Sequence, residues 1–116
     1  MKIHNKEVGF ALTVGASIEI SKLCPDNDIT RIDEVLGSDY VKNLETTVKM
    51  ILIMNKAFVG VERMEGREAP LITEEEVLLL TPKKITELTK AMMDAFRDDS
   101  RGELEVETKN GEQGAH

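Results

Sequence analysis

The chain has 116 residues, with 15 Lys and Arg against 22 Asp and Glu, for a formal net charge of −7. That length is one domain's worth and can bury one modest core without disulfide or metal staples. The acidic balance, with one Tyr, three Phe and no Trp, argues against nucleic-acid binding, which needs phosphate-neutralising cations and stacking rings.

Cys24 is the one cysteine, so there is no intramolecular disulfide and a reducing compartment is the default. The opening MKIHNKEV has no apolar signal-peptide core. The longest apolar run, Met50 to Met54, falls far short of the roughly 20 residues that span a bilayer. The expectation is a soluble, cytoplasmic protein with neither membrane nor nucleic acid as partner.

Residues 1–13 read as a β-hairpin, with strands at Met1–His4 and Glu7–Leu12 around an Asn5-Lys6 turn. Val8, Phe10 and Leu12 alternate with Gly9 and Ala11, the period of a half-buried strand. Asn tolerates the positive φ of a primed hairpin turn. Thr13 then caps a helix over Val14–Cys24, stopped by Pro25. Its inward face is Ala16, Ile20 and Leu23, with Val14 and Ile18 close by. Pro25-Asp26-Asn27-Asp28 is a turn on composition. A short helix over Ile29–Leu36 ends at Gly37, which suits the left-handed C-terminal position.

Ser38–Val61 is the predicted central helix. Ser38 is a good N-cap and Asp39 suits the positive end of the helix dipole. Val41, Leu44, Val48, Ile51, Leu52 and Phe58 recur at helical spacing, and Met50–Met54 is apolar on every face. Glu62–Pro70 reads as an exposed, charged loop. Thr73-Glu74-Glu75-Glu76 matches a capping box opening a short helix with Val77-Leu78-Leu79-Leu80. Thr81-Pro82 starts the last helix, which carries Ile85, Leu88, Met92, Ala95 and Phe96 on one stripe and runs to about Asp98. The alternation over Gly102–Glu107 allows a short extra strand, and the rest is polar enough to be disordered. The reading is therefore a mainly α (α+β) fold. An N-terminal β-hairpin is followed by about five helices around a central long helix. Residues 1–100 form one domain and 101–116 an acidic tail.

Chemistry is sparse along this chain. His4 and His116 lie at opposite ends, and no spacing matches a zinc site. Asp26-Asn27-Asp28 fails as an EF-hand, because the twelfth position would fall on Gly37. Cys24 has no histidine partner along the chain suited to activate it, and reads as a small hydrophobe at a helix end. Ser17, Ser21, Ser38 and Ser100 lie outside any nucleophile elbow. Capping and the dipole account for Glu74, Glu75 and Glu76, and Asp98-Asp99 sits at the unfavourable end of its helix, where fraying is expected. No glycine-rich phosphate loop is present. The expectation is a non-enzyme with no metal and no organic cofactor.

Protein binding remains. Met50, Met54 and Met92 fall on inward stripes and read as core. Met64, in a charged loop, and Met93, off the stripe of the last helix, are the methionine contact candidates, since Met surfaces repack against varied partners. Leu78 and Leu79, in an unbroken apolar run, join them. The all-round band Met50–Met54 is long for the short helices available to cover it, which predicts self-association and binding of apolar helical segments.

The order of elements carries a resemblance. KIHNKEVGFALTVGA leads straight into IEISKL, a short helix and a long apolar helix follow, and an acidic loop leads to LITEEEVLLLTPKKITELTKAMMDAF. In these patterns, which cover most of residues 1–98, the chain resembles the small tail assembly chaperones of long-tailed (siphovirus-type) bacteriophages and prophages. It departs at Asn5-Lys6, where such proteins often carry a turn glycine. The resemblance implies a non-enzymatic, homo-oligomeric protein of the bacterial host cytoplasm. It implies binding to the long, helical tape measure protein and help in recruiting tail tube protein. It further implies a second, longer form made by ribosomal frameshifting. Two other classes fit the composition: a small acidic regulator that binds and inhibits a bacterial host protein, and an enzyme with an unrecognised carboxylate site.

Overall fold

The computed structural model describes residues 1–36 and 43–112, with side chains as far as Ser100. It is mainly helical with a two-stranded N-terminal hairpin, as the periodicities predict. The strands are β1 (Lys2–Ile3) and β2 (Lys6–Glu7), paired antiparallel with Lys2 opposite Glu7 and Ile3 opposite Lys6. The turn is His4-Asn5 and not Asn5-Lys6: both of these residues take positive φ, 48° and 69°, as a type I′ turn requires. The expected second strand stops at Glu7. Val8 to Leu12 instead runs extended over the helices, where Ala11 N–H donates to the Met54 carbonyl at 3.1 Å.

Helix α1 (Val14–Ser21) starts as expected, with the Thr13 hydroxyl accepting from Ala16 N–H at 3.1 Å, and ends short of Cys24. Ala16 and Ile20 are buried, but Val14 and Ile18 face outward. Pro25–Asn27 forms a tight turn, with Asp26 and Asn27 at positive φ. The Asp28 carboxylate caps the next turn through Thr30 N–H, leading into α2 (Ile32–Leu36).

Helix α3 (Leu44–Met64) is the central element and packs against α1, α2, α4 and α5. The predicted cap at Ser38 and Asp39, the terminator Gly37 and the stripe residue Val41 lie outside the described residues. Asn43 precedes the helix and reaches back to donate to the Leu36 carbonyl. Three further residues of the expected loop belong to α3, and Gly66 at φ 82° ends it. Arg67 folds back to form a bidentate pair with Glu62 and a further pair with Glu65. Helix α4 (Glu74–Leu78) shows the reciprocal capping box of Thr73 and Glu76. Helix α5 runs from Pro82 to Glu112, past the expected end near Asp98. Gly102–Glu107 is helix, not strand, because six alternating residues weigh little against the helix propensity of Glu and Leu. Fraying at Asp98-Asp99 does not occur either: the Asp99 carboxylate accepts from Leu12 N–H at 2.8 Å and holds α5 against the N-terminal strap.

The core is Ile3, Val8, Ile20, Ile51, Met54, Val77, Leu88 and Met92 with their neighbours. Met50, Ile51 and Met54 are fully buried, and Leu52 and Ile53 pack half-buried against the same core. The apolar band of α3 is therefore covered within one chain, and its composition does not mark an open interface.

Candidate protein-binding surface

Two apolar side chains stand out at the corner between α4 and α5. Leu78 is 63% exposed and Leu79 is 70% exposed. The local sequence requires this. Thr73 and Glu76 fix the start of a helix only five residues long, and Val77 is its sole buried residue. The next two leucines then follow it round the corner, past the covered face. Pro82, at the first position of α5, forces a new helix start with its own cap, the Thr81 hydroxyl accepting from Lys84 N–H.

Leu78, Leu44 and Val48 line a groove of about 390 Å³ between α3 and α4, bordered by Glu45, Lys49 and Glu74. On the other side of the corner, Leu79 and Leu80 line a second groove of about 430 Å³ with Thr81, Lys83, Lys84 and Glu87. Consecutive residues thus line different grooves, Leu78 the first and Leu79 the second. Among the described residues, Glu45, Glu74, Lys49 and Lys83 form no salt bridge, while Lys84 lies 3.5 Å from Glu87.

The corner is held by the hairpin. Lys6 Nζ donates to the Glu76 carboxylate at 3.0 Å and to the Leu71 carbonyl at 3.2 Å, and His4 Nε2 lies 3.0 Å from the Glu76 carbonyl. Thr73 N–H and Lys6 together hold the Glu76 carboxyl below its ordinary pKa. Behind the corner sits Asn55, 0% exposed. Its Nδ2 donates to the Gly9 carbonyl at 3.0 Å, and its Oδ1 accepts from Ile72 N–H at 2.9 Å. One amide thus ties both the N-terminal strap and the segment before α4 to the central helix.

The other two predicted contact residues lie elsewhere. Met64 is 86% exposed, but at the far end of α3, about 30 Å along the helix from Leu44 at 1.5 Å per residue. Met93 is a correction: it is only 3% exposed. It forms the floor of a third groove, of about 340 Å³, with Leu12, Ile29, Ile32 and Phe96 between α5 and the α1–α2 segment. Its position off the stripe of α5 put it beneath this second layer of cover, so it is core. Leu44, expected on the inward stripe of the central helix, lies at the surface and lines the first groove.

The thiol of Cys24 does not reach the surface. Cys24 is buried, its thiol donates to the Ile20 carbonyl, and burial together with nearby Asp28 and Glu34 pushes its pKa up, away from reactive thiolate. Among the described residues, no group of three or more His, Cys, Asp or Glu is placed to hold a metal ion. No described helix is long and apolar enough to cross a membrane. No family model matches the sequence, and no curated protein or solved structure matches the chain.

Proposed function

We propose that the protein is a non-enzymatic tail assembly chaperone of a long-tailed bacteriophage or prophage. It binds apolar helical segments of a tape measure protein in the host cytoplasm and helps to recruit tail tube subunits. The observation that carries this reading is the exposed Leu78–Leu79 pair, fixed on a capped corner and backed by the groove that Leu44 and Val48 line. Adjacent exposed leucines beside an apolar concavity fit the i, i+3, i+4 anchors of an amphipathic helix. These leucines also fall within EEEVLLLTPKKITELTKAMMDAF, one of the two stretches on which the resemblance rests. The net charge of −7 keeps such a surface soluble and suits basic flanks on a client.

The test is co-expression with the long helical product of the neighbouring gene. The wild-type protein raises client solubility, and a Leu78→Asp, Leu79→Asp variant with an unchanged melting temperature does not. Client solubility unaffected by the wild type refutes the reading. Capture of a folded, basic host enzyme with loss of its activity would replace it with the host-regulator reading.

A further inference from the structure

Helix α4 is too short to hold itself. It has five residues, where an isolated helix needs roughly 12 to be even marginal in water, and Val77 is its one buried side chain. The capping box orders its first turn, but Leu78 and Leu79 come after that turn and stand in solvent. The hairpin reaches this stretch from 70 residues away in sequence. Lys6 Nζ bridges the Glu76 carboxylate and the Leu71 carbonyl, so one ammonium fastens α4 to the segment that precedes it. His4 completes the grip at the last turn. Leu79 N–H goes to the Glu75 carbonyl and Leu80 N–H to the Val77 carbonyl, which leaves the Glu76 carbonyl without a helical donor. The Nε2–H of His4 supplies one at 3.0 Å, as the unsatisfied carbonyls of a helix end require.

We infer that the N-terminal hairpin is a clamp that preorganises the Leu78–Leu79 surface, with Lys6 and His4 as its positioning residues. Neither side chain belongs to the two grooves of the corner; both act through Glu76. With the clamp closed, the two leucines are presented in one arrangement, and a partner does not have to bear the entropy of ordering them. With the clamp released, α4 keeps its capping box and Val77 but loses the contacts that fix its last turn, so it opens locally while the rest of the fold stays closed. Coupling of this kind runs both ways: whatever lifts the hairpin loosens the corner, and whatever seats on the corner steadies the hairpin. That second consequence rests on the client reading. The clamp itself does not, and it is measured on the free chain, so either can fail alone.

Amide hydrogen exchange of the full chain, followed by NMR, is the experiment. The reporters are Val77 and Leu79 N–H, bonded to the Thr73 and Glu75 carbonyls of α4, against Ser17 N–H, bonded to the Thr13 carbonyl of α1. Lys6→Met is expected to speed exchange at Val77 and Leu79 by about five- to tenfold, a value discounted for the partial exposure of the Lys6–Glu76 pair. Ser17 should change by less than about twofold. Lys6→Arg, which keeps the charge and the donors, should stay near wild type. Glu76→Gln keeps a capping-box residue but removes the charge, so Lys6→Met should have a smaller effect in that background than in wild type. Equal acceleration at all three amides would reveal a general loss of stability and overturn the inference. So would α4 amides indifferent to Lys6→Met, a Lys6→Arg variant as fast as Lys6→Met, or effects of Lys6→Met and Glu76→Gln that simply add.

Discussion

Replacing Asn55 by Leu should cost more stability than any other single polar substitution in the described core. Leu has the branched outline of Asn, but its methyl groups are bulkier than the amide oxygen and NH2, so some overpacking adds to the polar loss. That polar loss is two hydrogen bonds, to the Gly9 carbonyl at 3.0 Å and from Ile72 N–H at 2.9 Å. Among the described residues neither group has another hydrogen-bond partner. A buried donor or acceptor left unsatisfied costs about 1–3 kcal/mol, so the pair should cost about 2–6 kcal/mol. At roughly 4 °C per kcal/mol for a domain of this size, the melting temperature should fall by about 8–24 °C. Far-ultraviolet circular dichroism against temperature and against urea measures it. Asn55→Asp separates the two bonds. The acceptor for Ile72 N–H is kept, while an oxygen now faces the Gly9 carbonyl. Burial raises the folded-state pKa of that aspartate above its unfolded value. The deficit is therefore full at neutral pH and shrinks as the pH falls through the folded pKa, where the protonated acid can donate to Gly9. A Leu variant that melts within about 2 °C of wild type would refute the reasoning, because the strap and the corner would then be held by other contacts.

Gly9→Ala should destabilise by about 1–3 kcal/mol, because a Cβ there would lie 2.6 Å from the Phe58 ring. Phe58→Leu should absorb part of that cost in a double-mutant cycle, and additivity would contradict the contact. Met93→Asp should abolish cooperative unfolding, whereas Met64→Asp should shift stability by no more than about 0.5 kcal/mol. Equal effects would mean the burial of Met93 is misplaced. Several carboxyls are held below the ordinary value of 4.5: Glu76 by Thr73 N–H and then Lys6, Glu62 by Arg67, and Glu34 by Arg31. Their folded pKa values lie below the unfolded ones, so their contribution is complete above the unfolded value and is lost as pH falls through the folded values. The urea midpoint should thus be level near neutrality and drop below about pH 4.5. A midpoint level down to pH 3 would contradict those pairings.

The parts of this fold legible in the sequence are those decided by a few adjacent residues. Thr13, the Thr73–Glu76 box and Thr81-Pro82 each start a helix where the sequence places it, because a cap is a contact within three residues. The hairpin was legible as a hairpin, but without a turn glycine its register rested on the pairing of Lys2 with Glu7, and the turn lies one residue earlier than expected. Exposure was harder. Val14, Ile18 and Leu44 face outward while Met93 is covered, and only the placement of distant segments decides which side of a helix is roofed. Asn55 left a signal that the apolar periodicity passed over. It falls on the buried stripe of α3 with Val48, Ile51 and Val59, and a polar residue on an inward stripe must be satisfied by something nearby. The candidate surface was half legible: Leu78 and Leu79 lie together as the apolar run implies, whereas Met64 and Met93 are separate from them and from each other.

The most direct test of the account is methyl NMR of the full chain, observing the leucine and methionine methyls while an amphipathic helical peptide from the client is added. The account predicts shifts and broadening at Leu44, Leu78 and Leu79, with Met64 and Met93 unchanged. Perturbations at Met64 or in the Met93 groove, with the leucines of the α4–α5 corner silent, would contradict it.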